Sequence, residues 1–324
     1  MNKKGIFFTA MALVVVTLLL LTYRPKTIEI DAEKNRIDLV RIDIANNFVG
    51  NLNEGYIVNA ARVAGYRALR AMCLLVNQTE GYIPDLDSTF SEIFVKGTNH
   101  GNPVLGMEDY SLNKTLSKIG NLSEEFLKIK VDFNFSSVEA ELFQNNLTGP
   151  KQVGLKFSIG YYINATIASW NKTTEFETMV PIEYLYDPIY RAEYGKNKSI
   201  IFPTFEVNYT KNQTSLRTFI RKTLFLHSKN IKAPDFLMRL QGIAEVSECC
   251  GIESALNPKE LMFTKMYNMT YIDFCNSTKL LCTPDSGHGS LYPVEGITTY
   301  ASGTEFYGFM LDATNYVALG VGDE

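Results

Sequence analysis

Three hydrophobic patterns follow one another along the chain, each with its own period. Residues 6–22, IFFTAMALVVVTLLLLT, are seventeen consecutive positions without a charge, preceded by Lys3, Lys4 and Gly5 and followed by Tyr23, Arg24, Pro25 and Lys26. As a helix rising about 1.5 Å per residue they reach roughly 25 Å, a little short of a hydrocarbon core of about 30 Å; snorkelling flanks or a partner helix can absorb the difference. From Ile37 the apolar residues recur at helical spacing: Val40, Ile44, Phe48, Leu52, Tyr56, Ala60, Val63, Tyr66, Leu69, Cys73 and Val76. The mean step of about 3.55 residues predicts one long amphipathic helix. Asn46, Asn47, Asn51 and Asn53 with Gly50 and Gly55 are poor helix formers and predict a bend or break in its middle. Pro25 predicts a kink or a short joint before it. The stripe is expected to pack on the protein's own β-domain; the alternative is a spine packing against neighbouring subunits.

After Val76 the period changes to two. Ile129, Val131, Phe133 and Phe135 alternate with polar residues, and so do Val153, Leu155, Phe157, Ile159, Tyr161, Ile163, Ala165 and Ile167. Such alternation predicts antiparallel strands with one wet face. Trp170, Asn171, Lys172 and Thr173 read as the turn into a partner strand through Phe176 and Val180. Residues 86–96, 111–127 and 216–241 have helical spacing, whereas Tyr292–Ala301 and Phe306–Val321 look like strands. The fold class is α+β, helices at the N-terminal side of a mainly antiparallel sheet or sandwich. Three regions result: a basic leader and transmembrane anchor over 1–26, the amphipathic helix over 27–76, and a glycosylated α+β ectodomain over 77–324.

Composition adds little until the asparagines are counted. With 46% hydrophobic and 20% charged residues and a net charge of -4, the chain is globular and gives no electrostatic reason to bind nucleic acid. Of 25 Asn, 12 begin an Asn-x-Ser/Thr triplet without Pro, where composition predicts about 3.4. They are Asn77, Asn113, Asn121, Asn134, Asn146, Asn164, Asn171, Asn197, Asn208, Asn212, Asn268 and Asn276, all after Val76. Asn134, Asn164 and Asn208 fall on the polar sides of their alternating segments, where a glycan must project. Lysines and arginines flank the apolar segment on both sides and leave orientation open, but the sequons set it. The expected topology is a single pass with the N-terminus cytoplasmic and the ectodomain extracellular.

In that compartment Cys249, Cys250, Cys275 and Cys282 predict two disulfides, the adjacent pair bridging to different partners, while Cys73 on the helical stripe reads as a small buried residue. Their spacing is poor for zinc. Glu248-Cys249-Cys250-Gly251 resembles a string in the large extracellular loop of tetraspanins, but one apolar segment instead of four excludes that family. His288 lies in a Gly-rich string that lacks the nucleophile-elbow pattern. Asp85 and Asp87 begin a loosely calcium-like run, yet Phe90 stands where the loop needs Gly and Lys96 where it needs Glu; Asp87 as a helix N-cap explains the same letters. No catalytic, cofactor or metal motif emerges, so no enzyme is expected.

The leader Lys3-Lys4-Gly5 before an apolar helix at Ile6 resembles the class III signal peptide of archaeal pilin-like proteins. The resemblance implies cleavage between Gly5 and Ile6 on the cytoplasmic side with the apolar helix retained. Ala10 replaces the Glu that bacterial pilins carry. An uncleaved N-terminal anchor explains the same residues. Tyr66–Leu75, Ala168–Thr173, Tyr186–Tyr190, Ala233–Gly242 and Gly251–Ser254 are similar to segments of uncharacterised archaeal membrane-anchored surface proteins. That likeness implies an envelope protein of helix-plus-β build. The functional expectation is a membrane-anchored, N-glycosylated cell-surface protein with a structural or adhesive role, a pilin-like subunit self-associating through its N-terminal helices. The alternative is a surface module that binds carbohydrate or a partner protein without forming filaments.

Overall fold

The computed structural model describes residues 13–17, 26–78, 81–166, 168–188, 225–226, 233–243, 245–254, 291–302, 305–313 and 316. Gly5, Ile6, most of the apolar segment 6–22, Asn197, Asn208, Asn212, Asn268, Asn276, Cys275, Cys282 and His288 lie outside them. Among the described residues no helix is long and apolar enough to cross a membrane. Of the expected anchor, residues 13–17 are described; they are helical, and the side chains from Leu13 to Val16 are exposed.

The long helix is present and changes pitch where its asparagines and glycines cluster. Helix α1 (Lys26–Asn51) runs into a π-helical turn, Leu52–Tyr56, and continues as α2 (Ile57–Gln78). The turn interrupts the ladder at a place where Asn53 gives hydrogen bonds elsewhere: its Nδ2 donates to the Val49 carbonyl at 2.9 Å, and its Oδ1 accepts from the Tyr161 hydroxyl of the sheet.

The expected stripe is buried in part only. Phe48, Leu52, Ala60, Leu69, Cys73 and Val76 are buried, but Val40, Ile44, Tyr56 and Val63 are exposed. What seats α2 on the sheet is a face of small residues, Ala61, Ala64, Gly65 and Ala68. A Cβ on Gly65 would stand 3.1 Å from both Leu155 and Val180, so helix and sheet meet at the distance that glycine permits.

Helices α3 (Leu86–Lys96) and α4 (Leu112–Leu122) complete the helical layer, and a π-helical turn extends α4 over Ser123–Leu127. The N-cap of α3 is Asp85 rather than Asp87: the Asp85 carboxylate accepts from the Ser88 amide at 3.2 Å. Asp87 lies in the first turn and accepts from the Leu142 amide at 3.2 Å, tying the helix to the sheet. Between these helices a small ribbon pairs β1 (Thr98–Asn99) with β2 (Asn102–Pro103).

The main sheet consists of β3 (Lys130–Asn134), β4 (Ala140–Phe143), β5 (Gln152–Asn164) and β6 (Ser169–Pro181), all antiparallel to their neighbours. Strand β5 pairs with β6 along its full length on one side. Its other side pairs with β3 and then with β4, which are one edge interrupted by the 3-10 turn Phe135–Ser137. The β5–β6 turn falls at Ala165–Ala168, earlier than the expected Trp170–Thr173, which are strand residues. Thr166, at φ 69°, and the Asn164 side chain close the turn, so alternation that reads as strand through Ile167 overruns it.

The odd-numbered residues of β5 from Val153 to Ile163 face the helices and are buried. Phe90 stacks on Phe94, Phe94 meets Phe157 edge-on at 5.6 Å, and Phe157 stacks on Phe176, carrying the core from α3 across two strands. Further on, β7 (Phe225–Leu226) pairs with β8 (Glu253–Ser254) on either side of α5 (Phe236–Gln241), and β9 (Leu291–Ser302) pairs with β10 (Glu305–Asp312). Helix spacing expected over 216–241 is thus realised at its C-terminal end, with Phe225 and Leu226 in a strand.

Candidate functional site

Three surfaces and one buried cluster carry chemistry. The first surface is α1. Leu39, Val40, Ile42 and Ile44 are 62%, 54%, 41% and 43% exposed, four large apolar side chains within six residues that nothing in the described chain covers. Isolated apolar side chains on a surface need no explanation, but a run of this kind on a projecting helix marks a contact with something else.

The second is the wet face of the sheet. Register and alternation place Asp132, Tyr162 and Asn171 in one cross-strand row, Lys130, Asn164 and Ser169 in the next, and Asn134, Gly160 and Thr173 on the other side. Three of these nine positions are sequon asparagines, and all three are exposed. In two of them the sequon forms its own Asx turn: Asn134 Oδ1 accepts from the Ser136 amide at 3.2 Å, and Asn164 Oδ1 from the Thr166 amide at 3.0 Å. The carbonyl end of each side chain is thereby occupied, which leaves the Nδ2, the atom that a glycan would join, as its other end. Of the other described sequons, Asn121 and Asn146 are exposed and Asn113 is half-buried, with its Oδ1 accepting from Ser117 at 3.1 Å.

The third is a groove of about 1100 Å³ where the sheet edge breaks. Because β3 ends opposite Gly160 and β4 starts opposite Phe157, Ser158 and Ile159 have no partner on that edge, and the chain over Phe135–Glu139 swings out to form a wall. Asp87, Glu92, Glu139, Glu141 and Glu175 line it with Lys96, Lys156 and Phe135. Glu92 is already engaged: it accepts from Thr98 Oγ1 at 2.8 Å and from the amides of His100 and Gly101 at 3.0 and 2.9 Å, clasping the β1–β2 ribbon. Burial raises its pKa, but these hydrogen bonds outweigh burial and hold the carboxyl below its ordinary range. Lys156 and Glu175 are 4.0 Å apart and exposed, a pair that water screens. Among the described residues no group of three or more His, Cys, Asp or Glu is placed to hold a metal ion.

The buried cluster joins segments distant in sequence. Arg239 Nη2 and Asp187 Oδ2 are 2.6 Å apart with both side chains fully buried, and Arg239 Nη1 donates to the Ile252 carbonyl at 3.0 Å. Asp235 caps α5 through the Met238 amide and also accepts from Ser247 Oγ at 2.9 Å. At the other end Gly242 adopts φ 70°, and a Cβ there would strike the Tyr82 ring at 2.4 Å. Tyr66 of α2 donates to the Glu183 carbonyl at 3.0 Å, and burial pushes its pKa up against the pull of Arg70 and Arg67. Asp187, Arg239 and Ile252, from three stretches that the sequence marks only by resemblance, therefore meet in one place. An arginine inside the otherwise apolar Phe236–Leu240 run is the signal in the sequence that a buried acid must answer it.

The sulfur atoms of Cys249 and Cys250 are in close contact with each other, and Cys275 and Cys282 lie outside the described residues. Cys250 is buried in a tight loop, its sulfur 3.3 Å from the Asn145 carbonyl, while Ser247 and Ile252 hydrogen-bond back to Ala233 and Pro234. That closed loop keeps the two neighbours side by side. Cys73 is fully buried, as its place on the stripe predicts. Trp170 is partly buried and packs against the core, which argues against an exposed aromatic platform there. No protein-family model, curated protein or solved structure matches this chain.

Proposed function

We propose that the chain is a membrane-anchored, N-glycosylated cell-surface protein with a structural or adhesive role, assembling as a pilin-like subunit through its N-terminal helices. The observation that carries the reading is the exposed run Leu39, Val40, Ile42 and Ile44 on a helix that follows the apolar segment 6–22. The segment 6–22 holds the protein in the bilayer, the middle of α1 meets other copies outside it, and the sequon-bearing domain stands outside. The exposure of Asn121, Asn134, Asn146, Asn164 and Asn171 supports that orientation.

Membrane fractionation of native cells joined to mass spectrometry of the purified protein tests this. The expected result is release by detergent but not by salt, an N-terminus at Ile6, and glycan mass on several sequons. Recovery from the soluble cytosolic fraction with Met1 intact and every Asn unmodified overturns it. The groove at the broken sheet edge supports a second reading, a binding module for a carbohydrate or a partner protein that does not form filaments.

A further inference from the structure

The geometry points to a glycan canopy over the wet face of the sheet, built from Asn134, Asn164 and Asn171 and packed on the ring of Tyr162. It rests on the glycosylated-surface reading above and says where the sugar lies and what it covers.

The argument begins with register. Tyr162 sits directly opposite Asn171 on β6 and two residues from Asn164 on its own strand, and both side chains leave the sheet on the same face. Asn134 is opposite Gly160, two residues from Tyr162 in the other direction. With strands about 4.8 Å apart and about 3.4 Å per residue, Asn164 and Asn171 are roughly 8 Å apart, and Asn134 lies about 12 to 14 Å from each. A single sugar ring spans much of the smaller distance, so glycans at these positions cannot avoid one another or the ring between them.

Tyr162 is the second observation. It is 41% exposed, a large aromatic on a face whose other members in the three rows are Asp, Lys, Asn, Ser, Thr and Gly. The opposite, helix-covered face already holds the aromatic core, so Tyr162 adds nothing to that packing. An aromatic face next to two sequons offers the C–H surface of a sugar an apolar seat, the same property that lets aromatic rings pair an apolar body with a wet setting. Gly160 places no side chain between Asn134 and Thr173; a Cβ there would be in ordinary contact with Thr173 Oγ1 at 3.4 Å and Asn134 Cβ at 3.8 Å.

The third is the state of the acceptor atoms. The Asx turns of Asn134 and Asn164 hold each side-chain carbonyl on the backbone amide of the sequon's own Ser or Thr. Both asparagines are exposed at strand ends. Asn171 reaches the same face from near the start of β6. The consequence is a division of labour between faces: sugar closes the wet face of the sheet to protein partners and leaves contact with other copies to the helix.

Glycopeptide mapping of the full-length native protein, combined with hydroxyl-radical footprinting of Tyr162, tests the proposal. The expected result is occupancy at Asn134, Asn164 and Asn171, a protected Tyr162, and a several-fold rise in its labelling in an Asn164→Gln/Asn171→Gln variant. Thr166→Ala/Thr173→Ala removes the same two sequons while keeping both asparagines, and should give the same rise. The Asn121→Gln variant should leave Tyr162 labelling unchanged. Occupancy at Asn113, Asn121 or Asn146 with none on the sheet overturns the canopy and leaves the surface reading standing. Occupied sheet sequons with Tyr162 equally labelled in all variants overturn the packing. No glycan at any sequon overturns both the canopy and the glycosylated reading.

Discussion

The two halves of the long helix share one apolar spacing and meet different surroundings. In α2 nearly every apolar position is covered, and the covering surface is the sheet, which approaches closely because Ala61, Ala64, Gly65 and Ala68 present no bulk. In α1 the side chains from Leu39 to Ile44 are larger and stay exposed, and charged residues such as Asp38, Arg41 and Asp43 are set among them. Cover begins within α1 at Ala45 and Phe48, just before the π-helical turn where Asn53 ties the helix to Tyr161. Apolar spacing identifies a helix; the size of the residues on its face decides whether it belongs to its own core or is offered to something else.

The largest expected effect lies at the buried Asp187–Arg239 pair, which holds α5 against Ile252. Asp187→Ala removes the carboxylate 2.6 Å from the fully buried Arg239 guanidinium and is expected to cost about 3 to 5 kcal/mol in denaturant unfolding. Gly65→Leu forces a side chain into the 3.1 Å gap against Leu155 and Val180 and should cost about 1 to 3 kcal/mol by the same measurement. The matching change in α1 has the opposite sign. A Cβ on Gly50 meets nothing within 4 Å, so Gly50→Ala is expected to raise stability by about 0.5 to 1 kcal/mol through helix propensity. Val40→Asp should leave ectodomain stability within about 0.5 kcal/mol, since that side chain is exposed, while abolishing assembly in native membranes.

The smallest effect is pH-dependent and local. Because the folded-state pKa of Glu92 is depressed, its clasp contributes stability above the ordinary glutamate range, and that stability is lost as pH falls through the folded value. Amide exchange at His100 and Gly101 should therefore speed up in acid, and Glu92→Gln should remove the pH dependence without changing the fold.

Much of the fold was legible in the sequence. The π-helical turn coincides with the Asn- and Gly-rich stretch, both short helices lie over 86–96 and 111–127, and the strands follow their alternation. Three things escaped for identifiable reasons. A stripe counted by large apolar residues passes through Val63 and Tyr56, whereas the real contact runs through alanines that composition treats as neutral. The β5–β6 turn is made by a side chain, Asn164, and by positive φ at a threonine, so it carries neither Gly nor Pro to announce it. The Asp187–Arg239 pair spans 52 residues and has no local pattern. For the surface sites the sequons were fully legible as letters, but their convergence around Tyr162 depends on strand register, which no count of triplets contains.

The central claim is that α1 is covered, in the native membrane, by something other than the protein's own ectodomain. The most direct measurement is labelling of a Val40→Cys variant in intact native membranes with a membrane-impermeant maleimide, against Lys118→Cys on the exposed side of α4 and the wild-type background. The account predicts that Lys118→Cys labels readily while Val40→Cys is protected until detergent separates the assembly. Equal labelling of both positions in intact membranes would contradict it.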